Sequence, residues 1–218
     1  MTENLPLHHI VRAAKSSNEK APLLILLHGY GSNEEDLFSF ASELPEEFFI
    51  VSVRAPYDLQ PYGHSWYDIH FTADNDKFSN DEQAKQSVNL ISEFIDYACK
   101  TYAVDSNNVT LLGFSQGTIL SYAVALTYPK KVKNIVALSG YINEKIISED
   151  MTTKDHSNLD VYISHGSVDQ VIPNTWANKA PEFLNNLNIK NSYREFPVGH
   201  GVAPQNFFEF KNWLVEKL

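Results

Sequence analysis

Residues 111–118 read LLGFSQGT and contain the pattern G-x-S-x-G around Ser115. The apolar residues before Gly113 predict a short buried strand, and the apolar segment after Gly117 predicts a helix. A serine in a sharp turn between a strand and a helix is exposed at the edge of a sheet, where its hydroxyl can meet a substrate. Ser115 is therefore a candidate nucleophile if the rest of the chain supplies the partners that a nucleophile needs.

The segments on both sides of this turn alternate between apolar runs and helical patterns. The apolar runs predict strands at 22–29, 48–56, 108–113, 134–140, 161–166 and 191–197, the last alternating least cleanly and therefore expected toward a sheet edge. Helical patterns cover 34–44, 81–103, 117–129, 174–187 and 204–218. Apolar strands joined by helices indicate an α/β fold, in which a mostly parallel central sheet is flanked by helices on both faces. No shift in composition marks a second domain, so residues 1–218 are expected to form one.

Two stretches between the predicted elements lack a regular pattern. Residues 144–160 are polar and are interpreted as a loop. Residues 57–79 form a longer excursion, and loops of this length in a compact domain are usually functional or disordered. The aromatic residues of the excursion are too many for a disordered segment; they are Tyr57, Tyr62, Trp66, Tyr67, Phe71 and Phe78. The excursion is therefore expected to fold over part of the protein.

The charge and hydropathy of the chain disfavour several classes of partner. The formal net charge is −10, and the 17 Lys and Arg residues form no long run. Nucleic acid is disfavoured because phosphate binding needs clustered basic side chains, and an anionic membrane surface would repel the chain for the same reason. The longest aliphatic run, LLILL at 23–27, is too short to cross a bilayer, so no stable membrane insertion is expected.

The start of the chain and its cysteine usage favour the cytoplasm. The first residues, MTENLPLHHIVRAAK, lack the basic start and continuous apolar core of a secretory signal. Cys99 is the only cysteine, so no intramolecular disulfide can form. Apolar residues recur around Cys99 at helical spacing, which predicts that this thiol packs in the core and is not a nucleophile.

A serine nucleophile needs a base and an acid, and when the serine lies in a turn between a strand and a helix these follow it in the order Asp or Glu, then His. Asp169 lies in HGSVDQVIP, directly after the strand predicted at 161–166. His200 lies in VGHG, after the strand predicted at 191–197, and no other histidine follows His165. His165 itself precedes Asp169, which is the wrong order for the base.

Two backbone N–H groups are needed to bind the oxyanion that forms when a serine attacks a carbonyl group. One is expected from the residue after the nucleophile, Gln116. The other is expected from Tyr30 in the glycine-rich stretch HGYGSN at 28–33, which follows the first strong strand.

A metal site is the alternative for the excursion. His64, Asp68 and His70 lie close together in an extended segment. Tetrahedral sites use three or four ligands, and no fourth is evident. The sequence therefore predicts no metal and no cofactor.

Five short stretches together resemble a known family. HGYG at 28–31, SWYDI at 65–69, GFSQG at 113–117, HGSVDQVIP at 165–173 and VGHG at 198–201 are similar to the carboxylesterase, lysophospholipase and acyl-protein thioesterase family of α/β-hydrolases. The resemblance implies a catalytic triad of Ser115, Asp169 and His200, with oxyanion donors from Tyr30 and Gln116. It also places Trp66 beside the substrate pocket. Related hydrolases often self-associate, so a homodimer is an expectation of the resemblance that no feature of the sequence establishes.

The resemblance implies a serine hydrolase that cleaves small-molecule carboxylic esters through an acyl-enzyme. HGYGSNEEDL looks more like bacterial carboxylesterases than the HGLGDTG of eukaryotic acyl-protein thioesterases, and the 57–79 excursion is longer and more polar than the thioesterase acyl-binding loop. Both differences favour small to medium acyl chains. Ile172, just after Asp169, is a further candidate for the lining of the pocket. A lysophospholipase or acyl-protein thioesterase acting on longer chains is the alternative. A peptidase, an acyltransferase and a non-catalytic binding module on the same fold also remain open.

Overall fold

The computed structural model describes residues 7–15, 20–71 and 77–218, and its strands form one large sheet and two small hairpins. The strands are β1 (His9–Arg12), β2 (Ala21–Leu27), β3 (Phe49–Val53), β4 (Tyr57–Asp58), β5 (His64–Ser65), β6 (Ile69–Phe71), β7 (Lys77–Ser79), β8 (Val104–Phe114), β9 (Asn134–Leu138), β10 (Asp160–Gly166) and β11 (Lys190–Phe196). The helices are α1 (Glu35–Phe38), α2 (Asp81–Thr101), α3 (Gln116–Thr127), α4 (Asn174–Ala177), α5 (Ala180–Asn186) and α6 (Pro204–Val215), and two 3₁₀ turns lie at Glu144–Ile146 and Met151–Thr153.

The central sheet of the described residues has seven strands in the order β1-β3-β2-β8-β9-β10-β11. All neighbouring pairs are parallel except β1 and β3, which are antiparallel. Parallel strands are buried on both faces when helices connect them, and every residue of β2 is buried. The predicted mostly parallel sheet is therefore confirmed, as is the edge position of the strand near the C-terminus.

Alternate residues of β2 face two separate apolar layers. Leu23, Ile25 and Leu27 pack in the layer that contains α2, α3 and α5. Leu24 and Leu26 pack in the opposite layer with α1 and α6. Because side chains alternate across a strand, one continuous apolar run supplies both faces of the sheet. The helices thus cover both faces, as the sequence predicts.

Three elements differ from the sequence-based prediction. β1 was not predicted, because it is a four-residue strand at the antiparallel edge of the sheet, with three partly buried residues and one exposed residue. The helix predicted at 34–44 is regular only over Glu35–Phe38, after which N–H groups bond to carbonyls three residues back. The helix predicted at 174–187 divides into α4 and α5, because Pro181 has no N–H to continue the helical hydrogen bonds.

The 57–79 excursion forms the hairpins β4–β5 and β6–β7 above the carboxyl end of the sheet, beside Ser115. Tyr67, Ile69 and Ser79 from this segment line a cavity at that edge of the sheet. The side chains of Phe71 and Phe78 lie outside the described residues. Cys99 is half-buried and packs against the core, where burial raises the pKa of its thiol.

A buried carboxylate anchors the glycine-rich stretch at 28–33 to the end of β3. Glu34 directly follows this stretch, and Arg54 donates from Nε and Nη2 to its two carboxylate oxygens. His8 Nε2 lies 3.3 Å from Glu34 Oε1. The hydrogen bonds from Arg54 lower the pKa of Glu34 to about 2 from its ordinary value of 4.5, although burial acts in the opposite direction.

The Glu34–Arg54 pair makes stability depend on pH. A carboxylate whose pKa is lower in the folded state stabilises the fold above its unfolded pKa and loses that contribution as the pH falls through the folded pKa. We expect Glu34→Gln to lower the free energy of unfolding by about 3 kcal/mol at pH 7, and this deficit to shrink by about 2 kcal/mol at pH 3. Urea unfolding at both pH values measures it. Glu35→Gln, at the exposed neighbouring position, is the control, and a deficit that stays constant between pH 7 and pH 3 would contradict the prediction.

Candidate active site

Ser115 lies in a strained turn at the centre of the sheet's carboxyl edge. It joins the end of β8 to the start of α3, and its backbone has φ 54° and ψ −115°. Its N–H donates to the Leu138 carbonyl at 2.9 Å, which holds the turn against β9. Non-glycine residues with positive φ are uncommon and cluster at functional sites. The turn also places the hydroxyl at the N-terminal end of α3, whose dipole favours negative charge.

The two glycines of G-x-S-x-G allow this turn to pack closely. A Cβ on Gly113 would overlap the backbone of Gly117, and a Cβ on Gly117 would overlap the carbonyl of Leu27 at the end of β2. Side chains at these positions would push α3 away from the sheet. The pattern is therefore a packing requirement of the turn that presents Ser115.

Ser115, His200 and Asp169 form a continuous hydrogen-bonded chain. Ser115 Oγ lies 2.9 Å from His200 Nε2, and His200 Nδ1 lies 2.7 Å from Asp169 Oδ2. Because a carboxylate can only accept, Nδ1 carries the imidazole proton, and Nε2 is free to accept the proton of the Ser115 hydroxyl. These three residues follow β8, β10 and β11, whose carboxyl ends lie at the same edge of the parallel part of the sheet.

The carboxylate of Asp169 is fully buried and held from two sides. Its Oδ1 accepts the backbone N–H groups of Val171 and Ile172 at 2.8 and 3.0 Å, while Oδ2 faces His200. Burial raises the pKa of Asp169, but the bonds from His200, Ile172 and Val171 together outweigh it, so the net shift is downward. Asp169 is therefore an ionised carboxylate of fixed orientation at neutral pH.

A second histidine touches the same carboxylate. His165 is buried, and its Nε2 lies 2.9 Å from the Ile172 carbonyl and 3.4 Å from Asp169 Oδ2. The carbonyl contact requires the proton on Nε2, so His165 supports the loop that carries Asp169. Chain order excludes His165 as the base, and no sequence pattern indicates its contact with Asp169.

The Ser115–His200 pair opens into a cavity of about 270 Å³. The other residues that line the cavity are mostly aromatic or aliphatic; they are Tyr30, Tyr67, Ile69, Ser79, Gln116, Ile119, Tyr141, Val171, Ile172 and Trp176. Among these lining residues, all in the described part of the chain, none is Lys, Arg, Asp or Glu. The cavity therefore suits an uncharged, apolar group.

Tyr30 and Gln116 bring backbone donors to the same cavity. In the described residues, neither the Tyr30 N–H nor the Gln116 N–H donates to a protein acceptor. Gln116 is the first residue of α3, where N–H groups have no partner within the helix. Two unpaired N–H groups beside a serine hydroxyl can bind an anionic oxygen.

The structure places most, but not all, of the predicted site residues around one cavity. Ser115, His200, Tyr30, Gln116 and Ile172 line it, and Asp169 lies directly behind His200. Trp66 does not, and the prediction that it forms the pocket wall was wrong. Its side chain is fully buried, and its indole N–H donates to the His28 carbonyl at 2.9 Å. The chain bends at Trp66 and Tyr67, between β5 and β6, and Tyr67 lines the cavity instead.

Several cavity residues were missed in the sequence. Tyr141 follows the strand predicted at 134–140, and its position after a strand end was an available signal. Trp176 lies in the short helix after Pro173 and packs edge-on against Tyr141, with ring centroids 5.2 Å apart. Ile119 has no distinguishing signal, because the residues around it in α3 are buried on every side of the helix.

The described residues give two negative findings, one on metal ligands and one on membrane-spanning helices. Among the residues that the structure describes, no group of three His, Cys, Asp or Glu side chains is placed to hold a metal ion. The side chain of His70, one of the ligands considered for that role, lies outside those residues. None of the helices in the described ranges is both long and apolar enough to cross a membrane.

Comparison with known proteins gives consistent matches along the chain. A family model described as phospholipase/carboxylesterase matches residues 8–217. Acyl-protein thioesterase 1 of Yarrowia lipolytica is 30% identical over 210 residues, which cover 89% of this chain and 91% of that protein. Acyl-protein thioesterase 1 of Kluyveromyces lactis is 26% identical over 221 residues, which cover 95% of each.

Solved structures share the same architecture. Esterase PE8 superposes with a TM-score of 0.84 and 26% identity, covering 98% of this chain and 100% of that one. A carboxylesterase of Bacillus cereus also gives a TM-score of 0.84, with 22% identity over 99% of this chain and 96% of that one. The α/β-hydrolase fold expected from the sequence is thereby confirmed.

Proposed function

Because this chain belongs to the phospholipase/carboxylesterase family of hydrolases, we propose that it is a serine carboxylesterase that uses Ser115, His200 and Asp169 as a catalytic triad. The observation that carries this proposal is the hydrogen-bonded chain from Asp169 through His200 to Ser115 Oγ, at the wall of an apolar cavity. The family assignment supports ester cleavage, and the hydrogen-bonded chain supports the choice of these three residues.

The proposed reaction has two acyl-transfer steps. Ser115 Oγ attacks the ester carbonyl carbon while His200 Nε2 takes the hydroxyl proton, and Asp169 stabilises the imidazolium that results. The Tyr30 and Gln116 N–H groups bind the oxyanion of the tetrahedral intermediate. His200 then returns its proton to the leaving alcohol as the C–O bond breaks. Water, deprotonated by His200, attacks the acyl-enzyme in the same way, and the acid leaves with Ser115 restored.

The cavity favours small to medium acyl chains. Its volume of about 270 Å³ is just below the roughly 300–1,000 Å³ that is typical of small-molecule sites. Ile119 and the Tyr141–Trp176 pair form apolar walls against which an acyl chain would end. Since two relatives are named acyl-protein thioesterase 1, cleavage of thioesters belongs to the same test.

Hydrolysis of p-nitrophenyl esters with acyl chains of two to sixteen carbons tests this function. We expect kcat/KM to be highest for a chain shorter than ten carbons, because longer chains exceed the cavity. A thioester and an oxygen ester with the same acyl group compare the two leaving groups. A maximum at ten carbons or more would favour the lysophospholipase or thioesterase alternative. Folded protein with no activity on any ester would favour the non-catalytic binding module.

Enlarging the cavity is expected to increase the acyl-chain length that gives the highest kcat/KM. Ile119→Ala removes apolar wall from the cavity, so the chain length with the highest kcat/KM should increase by two carbons or more. Leu120→Ala is the matched control, because Leu120 is the fully buried neighbour in α3 that does not line the cavity. Both truncations should lower the free energy of unfolding by about 2–5 kcal/mol. An unchanged profile in Ile119→Ala would remove Ile119 from the acyl site.

A further inference from the structure

We infer that a buried hydrogen-bonded network of His28, Trp66 and Gln116 positions both donors of the oxyanion hole, with His28 as a positioning residue that does not touch the substrate. The inference rests on the proposed esterase function. The side chains of these three residues are almost completely removed from solvent. None of their side-chain hydrogen bonds is required by the chemistry of the triad itself.

The hydrogen bonds of His28 identify its tautomer. The backbone N–H of Ala55 donates to His28 Nε2 at 3.0 Å, so Nε2 is the acceptor and carries no proton. The proton must then be on Nδ1, which donates to the Gly29 carbonyl at 2.8 Å. Burial lowers the pKa of His28, which agrees with a neutral ring.

The hydrogen bond from His28 Nδ1 to the Gly29 carbonyl fixes the peptide that carries the Tyr30 N–H. The Gly29 carbonyl and the Tyr30 N–H belong to one trans peptide unit, in which the two groups point in opposite directions. The Gly29 carbonyl also accepts the Ser32 N–H at 3.3 Å. Anchoring this carbonyl from two sides prevents rotation of the peptide and keeps the Tyr30 N–H directed away from His28, on the side of the cavity that Tyr30 lines.

The side chain of Gln116 ties the second donor to the first. Its Oε1 accepts the Trp66 N–H at 2.8 Å, and its Nε2 donates to the Tyr67 carbonyl at 2.8 Å. The Trp66 indole N–H in turn donates to the His28 carbonyl at 2.9 Å. Gln116, which supplies one oxyanion donor, is therefore joined through Trp66 to His28, which orients the other donor.

The network should affect the transition state more than the ground state. The oxyanion forms only after Ser115 attacks, so a misdirected donor lowers kcat and leaves KM almost unchanged. Deleting one oxyanion donor outright costs about 10²–10³ in kcat. Loosening its peptide should cost less, about 10- to 100-fold.

The test compares His28→Leu with His28→Asn, whose amide can place an N–H where Nδ1 lies. We expect His28→Leu to lower kcat about 10- to 100-fold with KM within threefold, and His28→Asn to retain kcat within about fivefold of wild type. Affinity for a trifluoromethyl ketone, whose adduct with Ser115 carries an oxyanion, should fall in His28→Leu by the same factor as kcat/KM. Gln116→Met should behave like His28→Leu, because it keeps the backbone N–H and removes both side-chain bonds.

The control is His156→Leu. His156 is also buried and also bonds a backbone carbonyl, that of Met151, but it lies outside the cavity lining. It should lose stability without losing kcat.

If His28→Leu fails to fold, Gln116→Met and His28→Asn carry the same test. Kinetics within twofold of wild type in a folded His28→Leu or Gln116→Met would overturn the positioning role while the esterase function stands. An equal loss of kcat in His28→Asn and His28→Leu would also overturn the claim that the hydrogen bond from His28 Nδ1 positions the Tyr30 N–H. Wild-type protein that hydrolyses no ester and does not react with a fluorophosphonate at Ser115 would overturn the proposed function, and the inference with it.

Discussion

Ser115→Ala is expected to lower kcat for ester hydrolysis by about 10⁴–10⁶ and to leave the fold intact. The Ser115 hydroxyl is the group that His200 Nε2 contacts, and alanine leaves nothing to attack the carbonyl. Alanine keeps a Cβ at this backbone position of positive φ, so the strain in the turn changes little. The melting temperature should therefore stay close to that of wild type while turnover is lost.

Steady-state kinetics with a p-nitrophenyl ester and mass spectrometry after fluorophosphonate treatment measure the effect of Ser115→Ala. Wild type should gain one adduct on the peptide that contains Ser115, and the variant should gain none. Ser79→Ala is the matched control, because Ser79 also lines the cavity but its hydroxyl bonds to Asp81. It should retain kcat within about tenfold. A Ser115→Ala enzyme with more than a tenth of wild-type kcat would remove this residue from the mechanism.

Local sequence patterns are sufficient to predict which loops meet. Ser115, Asp169 and His200 each follow an apolar run that predicts a strand, and the carboxyl ends of parallel strands share one edge of a sheet. The convergence of these loops therefore needed no knowledge of side-chain contacts. It required only the order of the elements and the direction of the strands.

Those patterns could not predict which side chains of the 57–79 excursion face the cavity. Trp66 and Tyr67 are adjacent buried aromatic residues in a bend between β5 and β6, where no regular alternation of side chains applies. Which of them faces the cavity depends on the hydrogen bonds of the Gln116 side chain to the backbone of both. Those bonds cross about fifty positions of sequence, as the separations of 50 and 49 residues show.

The role of His28 was invisible for a related reason. In the sequence it is the first residue of HGYG, where the glycines and Tyr30 indicate a backbone donor and no pattern marks the histidine side chain. Its tautomer is set by the N–H of Ala55, which β3 brings next to it although the two residues are 27 positions apart. A long-range hydrogen bond of this kind leaves no periodic signal in the chain.

Asp169→Asn is expected to lower kcat by about 10⁴ while preserving the fold, because it reverses the tautomer of His200. The backbone N–H groups of Val171 and Ile172 hold Oδ1, so the amide oxygen of asparagine takes that position. The amide nitrogen must then face His200 Nδ1 where Oδ2 lay, at 2.7 Å. A donor at that place requires Nδ1 to be the acceptor, so the proton moves to Nε2. An Nε2 that already carries a proton cannot take the one on Ser115 Oγ.

The rate of fluorophosphonate labelling of Ser115 separates this tautomer effect from a loss of substrate binding. It should fall together with kcat in Asp169→Asn, because both depend on His200 accepting the hydroxyl proton, whereas KM should change little. Asp155→Asn is the matched control: Asp155 is exposed and its Oδ1 accepts the N–H two residues ahead, from Ser157, as Asp169 Oδ1 accepts that of Val171. It should leave kcat unchanged. An Asp169→Asn enzyme with kcat within tenfold of wild type would mean that Asp169 does not set the tautomer of His200.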